Sequence, residues 1–215
     1  MIYTTQEDLL IILTSYKILM RFHWGFFFIW CISCSTTTTF QSEKGVFNIQ
    51  EISPDKLTAL TKQNLGHLSK VYDLKPFIYN KNILISSSSF PQNSNSIQLG
   101  TINAEKPHDL LASWLHQEFR WWYLKNPKKF ELAIYALDEQ YNLKKNPIDL
   151  SNLVICYLEF EALTFYLQLD VAKNIYSNLI INNDKLSWFF EQVLKDHLEI
   201  RKIFKRYNLL PAPLL

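Results

Sequence analysis

The segment that most limits how this chain can fold runs from Pro107 to Lys125, largely apolar and aromatic yet carrying His116, Gln117, Glu118 and Arg120 at its centre. Pro107 and Asp109 open it and Asn126-Pro127 closes it, which are start and stop signals for one helix. Residues four apart on a helix share a face, so His116 and Arg120 point the same way. Glu118, two positions on and roughly 200° round, points elsewhere.

His116-Gln117-Glu118-Phe119-Arg120 resembles, with two letters changed, the His-Glu-x-x-His helix of zinc peptidases. In that helix two imidazoles a turn apart hold the metal and the Glu polarises a bound water. Here the first imidazole is present, the base has become the amide of Gln117, and the second ligand has become the guanidinium of Arg120. An amide takes no proton from water near neutral pH, and a protonated guanidinium has no lone pair for a metal. The resemblance therefore implies a disabled zincin centre, with His116 and a later acid as the metal ligands if zinc is retained and no other cofactor.

A net charge of +2 over 215 residues leaves no basic footprint for nucleic acid. The length suits one domain with a sizeable core, and only four Gly among many large apolar residues favour helices over a turn-rich sandwich. Of the three cysteines, Cys31 and Cys34 fall at the end of an apolar N-terminal segment and Cys156 alone lies in the folded part. That count excludes a disulfide framework or a zinc knuckle, and Cys156, with no motif around it, is expected to be a buried, inert thiol.

Met20-Arg21 gives a short basic start, residues 22–30 an apolar stretch, and Cys31-Ile32-Ser33-Cys34 resembles a permissive bacterial lipobox. The apolar part is too short to span the roughly 30 Å core of a bilayer comfortably. Residues 1–33 are thus expected to be a signal segment, with 1–19 preceding the true start, and Cys34 to carry lipid. The chain would then be a lipoprotein of the cell envelope, extracytoplasmic and held to the membrane through that lipid. Residues 34–44, with their run of Thr, read as a polar tether, 45–209 as a single domain and 210–215 as a tail.

Within the domain, Val46 to Ile52 alternates like a half-buried strand, and Asp55 caps a helix to about Tyr72 with Leu57, Leu60, Leu65, Leu68 and Val71 on one stripe. Phe77-Ile78-Tyr79 and Ile83-Leu84-Ile85 read as strands of a tight hairpin, the Ser- and Asn-rich residues 86–96 as loop, and Ser96 to Ile102 as a last strand. After the Pro107 helix come helices at about Phe130 to Leu143, Leu150 to Tyr166, Val171 to Ile180 and Trp188 to Tyr207. The expected class is α+β, a small sheet with a covering helix followed by a helical half.

This order is similar to a minimal zincin, in which an edge strand precedes the metal helix. Leu158-Glu159-Phe160-Glu161-Ala162-Leu163 resembles the glutamate helix of gluzincins, whose ligand Glu stands three before a small residue. The likeness gives the third-ligand role to Glu159, with Glu161 as second choice. With Arg120 in place of an imidazole, a bidentate Arg120–Glu159 ion pair is expected to fill the metal cavity.

Other groupings compete. Glu118, Glu139, Glu161 and His197 sit near helix centres like the carboxylates of ferritin-like di-iron bundles, but Asn142 and Leu194 break both required Glu-x-x-His pairs. A zinc hydrolase using His116, Glu159 and Glu161, with Glu118 as base, is the enzyme alternative. Trp114, Trp121, Trp122, Tyr123 and Trp188 either line a pocket or form core. The leading expectation is an inactivated metallopeptidase-like domain that binds a peptide or protein rather than cutting one.

Overall fold

The computed structural model describes residues 36–42, 45–52, 54–87, 95–141 and 147–215. The expected signal segment with Cys31 and Cys34, and Asn142, lie outside these. The described residues belong to one compact unit, Thr36–Leu215, of α+β class.

Strand β1 (Thr36–Ser42) pairs antiparallel with β2 (Gly45–Ile52), Phe40 opposite Phe47. Here the structure corrects the expected 34–44 tether. Thr is β-branched and fits a pleated edge as well as it fits a solvated linker, so the Thr run joins the sheet once β2 is there to pair with.

Helix α1 (Lys56–Val71) starts on a reciprocal cap: the Asp55 carboxylate accepts from the Thr58 amide at 2.8 Å and the Thr58 hydroxyl accepts from the Asp55 amide at 2.7 Å. Its buried face carries Thr58, Thr61, Leu65 and Leu68 rather than the whole expected stripe, and Leu57 and Val71 are exposed. Lys62 on that helix pairs with the buried Glu51 of β2, which locks the helix to the sheet.

The expected hairpin through Asn80-Lys81-Asn82 does not form. Lys75–Phe77 is a single 3₁₀ turn opened by Pro76, and β3 (Asn82–Ser86) lies parallel to β2 with Ile49 beside Ile83. β4 (Ile97–Gly100) is parallel to β3, so the order is β1-β2-β3-β4 with β4 at one edge. The cause is packing: Phe77 enters the core edge-on to Phe119 at 5.8 Å, and Tyr79 stacks on Trp122 at 4.7 Å, which takes both rings off any strand ladder.

Helices α2 (Pro107–Lys125), α3 (Pro127–Tyr141), α4 (Pro147–Leu167), α5 (Leu169–Asn182) and α6 (Ser187–Arg206) follow, close to the expected spans. Pro at the first helical position explains the earlier starts of α3 and α4, because its missing N–H is not needed there. Leu150–Leu167 is apolar and long enough to cross a membrane, yet 72% of it is buried inside the fold, with α2, α3, α5 and α6 packed around it. It is the central core helix. The last residues are no loose tail either: Leu210 and Leu214 are buried, and the Arg201 guanidinium donates to the Leu214 carbonyl at 2.8 Å.

Candidate functional site

Helix geometry separates the polar residues of α2 as the spacing requires. Glu118 turns into the core, fully buried, and its Oε2 accepts the backbone N–H groups of Tyr79 and Asn80 at 2.9 Å each. Burial pushes its pKa up to about 8, against the opposing pull of those two amides and of the Trp114 indole. Glu118 Oε1 and the Trp114 indole N–H have no hydrogen bond of normal geometry. The Glu118 carboxyl therefore shapes the Tyr79–Asn80 turn; as the base of a hydrolase it points the wrong way.

On the other face His116 meets α4. Its Nδ1 lies 2.8 Å from Glu159 Oε2, with side-chain exposures of 17% and 2%. Arg120 does not join them. The expected Arg120–Glu159 ion pair is replaced by the His116–Glu159 pair, and Arg120, exposed, forms no ion pair among the described residues. The reason is reach: one turn further along α2, the long guanidinium stays hydrated at the rim, while the compact imidazole fills the space above a buried carboxylate.

Burial raises the Glu159 pKa, while the His116 and Tyr176 hydrogen bonds oppose that rise. Cys156, one turn earlier on α4, is fully buried, and burial followed by the Glu159 charge holds its thiol well above the ordinary range. The Tyr176 hydroxyl of α5 donates to the Cys156 carbonyl. A ring nitrogen of His116, the Cys156 sulfur and a Glu159 oxygen all lie within 4.8 Å of one another, a triad of donor types that bind metals. Cys156 was expected to stand alone. The usable signal was its place three residues before Glu159 on a helix, the spacing that shares a face.

His116 and Glu159 lie at the floor of a cleft of about 340 Å³, walled by Gln98, Leu99 and Gly100 of β4, Gln117 and Arg120 of α2, and Asn183 after α5. A second hollow of about 270 Å³ shares Gln98, Gln117 and Arg120 and adds Trp121 and Lys125.

The di-iron set does not assemble. Glu161 accepts from the Tyr157 hydroxyl at 2.9 Å and pairs with Arg201, Glu139 is exposed, and the His197 ring packs on Phe160 at 5.5 Å. That engagement also removes Glu161 as an unconventional metal ligand. The aromatic set divides: Trp114 is core, Trp122 stacks on Tyr79 and meets Phe130 edge-on, Tyr123 packs on Phe130, Trp188 packs on Phe189, and Trp121 reaches the second hollow. A zincin donor set is incomplete at the motif positions, since Gln117 and Arg120 supply neither a base nor a lone pair. Comparisons with protein-family models, with curated proteins and with solved structures gave no match.

Proposed function

We propose that this chain is a membrane-anchored, extracytoplasmic binding protein on a zincin-like scaffold with a degenerate centre, and that its cleft takes a peptide bearing a free carboxylate. One observation carries the ligand class: Arg120 is an exposed cation at the cleft rim with no ion pair among the described residues. A guanidinium in that position matches a carboxylate with two parallel N–H donors. The amides of Gln117 and Asn183 offer the mixed donor and acceptor edges that a peptide backbone needs. Binding without cleavage follows from Gln117, because an amide leaves the bound carbonyl without a base to activate water. The meeting of His116 with Glu159 supports the zincin kinship, since these are the two positions that the motif assigns as ligands.

The test is a titration of the purified domain with random tripeptides in two pools, C-terminal acid and C-terminal amide. Trp121 fluorescence and mass spectrometry would follow binding and cleavage. Acid peptides should bind saturably, and Arg120→Ala should weaken them about tenfold or more, the loss of one charge-assisted pair. Equal binding of both pools, or any cleavage, would overturn the reading. The envelope location rests on residues 20–34 and has its own measurement: a radioactive palmitate label on the full chain expressed in bacteria, expected in the wild type and lost in Cys34→Ala. A label that persists in the variant removes the lipid anchor.

A further inference from the structure

We propose that His116, Cys156 and Glu159 form a site for a divalent transition-metal ion of borderline softness, zinc being the representative case, beneath the cleft that His116 and Glu159 line. The residues that fail as a zincin centre are not the ones used: Cys156 takes the place that Arg120 cannot fill. The proposal goes beyond the peptide-binding reading and does not depend on it, because it rests on donor geometry and not on Arg120.

Two rigid elements bring the donors together. Cys156 and Glu159 stand three apart on α4, whose packing on every side fixes their common direction, and His116 comes across from α2. Their donor atoms lie within 4.8 Å of one another, with the His116 and Glu159 atoms 2.8 Å apart. Zinc at its usual bond lengths needs tetrahedral donors about 3.3 to 3.7 Å from one another. Movements of about 1 Å, within the reach of side-chain rotation, convert one arrangement into the other.

Charge argues in the same direction. The Cys156 sulfur and the Glu159 carboxyl are 0% and 2% exposed, so both donors are shielded from competing water. A divalent cation held by a thiolate, a carboxylate and a neutral imidazole gives a site of zero net charge. Burial of such a site costs far less than burial of the anions alone. The mixed sulfur, nitrogen and oxygen set selects zinc, cobalt or a similar ion over the hard calcium and magnesium, which take oxygen donors. Both His116 and Glu159 line the cleft, so the ion has a way in and keeps one side open to solvent. The Tyr176 hydroxyl, bonded to the Cys156 carbonyl and lying against Glu159, supplies the outer support that metal-binding carboxylates usually have.

Cobalt titration of chelator-stripped protein reads the donors directly. One equivalent of cobalt should bind and produce visible bands of tetrahedral intensity together with a near-ultraviolet thiolate-to-cobalt band, and zinc should displace both. Cys156→Ser should lose the near-ultraviolet band, and His116→Ala should weaken cobalt binding about a hundredfold or more, beyond what the loss of an outer-shell partner causes. Circular dichroism establishes that each variant is folded. Glu159→Gln, with Cys156 intact, serves as the second variant if the Ser protein does not fold, and should show the same loss of affinity. Absence of saturable binding, or a bound cobalt whose spectrum is unchanged in Cys156→Ser, overturns the site.

Discussion

Glu118→Gln is expected to stabilise the protein at pH 9 by roughly 4 to 5 kcal/mol while leaving it nearly unchanged at pH 4.5. The folded carboxyl titrates at about 8 against an ordinary 4.5, with burial as the main cause. Between those values the folded state holds a proton that the unfolded chain has released. Stability is therefore highest below pH 4.5, falls as pH rises to 8 and stays low above it, as far as this group is concerned. Gln is the neutral isostere. Its carbonyl oxygen can accept from the Tyr79 and Asn80 amides, and its NH₂ takes the place of Glu118 Oε1, which has no hydrogen bond of normal geometry. The variant should match the protonated wild type and lose the decline with pH. Urea denaturation of both proteins at pH 4.5, 7 and 9 reads the difference, equivalent to roughly 10 to 20 °C in Tm at the alkaline end. A gap between the two proteins that does not widen with pH would mean that the carboxyl is ionised in the fold. Glu118→Leu separates the polar role from the charge: both turn amides lose their acceptor, so it should destabilise at every pH.

That buried acid also shows where sequence reading runs out. Helical phase alone places Glu118 away from His116, and the structure agrees. What it does there is decided by the Tyr79 and Asn80 amides, 39 and 38 residues away in sequence, and no local pattern announces them. The same remoteness explains β3. The apolar run Ile83-Leu84-Ile85 reads as strand from its composition, but its partner is β2, with α1 between them in the chain. Sequence proximity suggests a hairpin where the fold builds a parallel pair. β1 was missed for the opposite reason, since a Thr run satisfies both a linker and an edge strand and only the presence of β2 decides. The six helices were legible because their apolar runs and their boundary residues, Pro at the starts of α2, α3 and α4 among them, are properties of the segment itself.

At the cleft, the pairing of α2 with α4 was expected from the resemblance that assigns His116 and Glu159, and the choice of partner did not follow from it. Both His116 and Arg120 lie on the face that Glu159 meets. Desolvation decides between them, because a short imidazole loses less hydration in a confined space than a guanidinium does. Cys156 had no motif and was discounted for that reason. Its nearness to His116 is a product of how α2 crosses α4, which depends on the whole core.

Removal of Arg201 is expected to destabilise the protein by about 3 to 4 kcal/mol, or roughly 10 °C in Tm. Glu161 is 5% exposed and accepts from two donors, the Tyr157 hydroxyl and the Arg201 guanidinium. In Arg201→Ala the carboxylate stays buried with the hydroxyl alone, and the Leu214 carbonyl loses its donor as well. The buried pair accounts for most of the loss, held to the lower end of its range because the Arg201 side chain is 31% exposed, and the Leu214 bond for about 1 kcal/mol. Two further variants divide these contributions. Glu161→Leu with Arg201→Met removes both charges and should recover most of the stability, since an apolar pair of similar volume incurs no desolvation cost. Glu161→Gln retains the Arg201–Leu214 bond, so hydrogen exchange at residues 210–215 should quicken in Arg201→Ala and stay slow in Glu161→Gln. If the double variant melts no higher than Arg201→Ala, the cost lies in lost packing of the arginine stem against α4 and not in an abandoned charge.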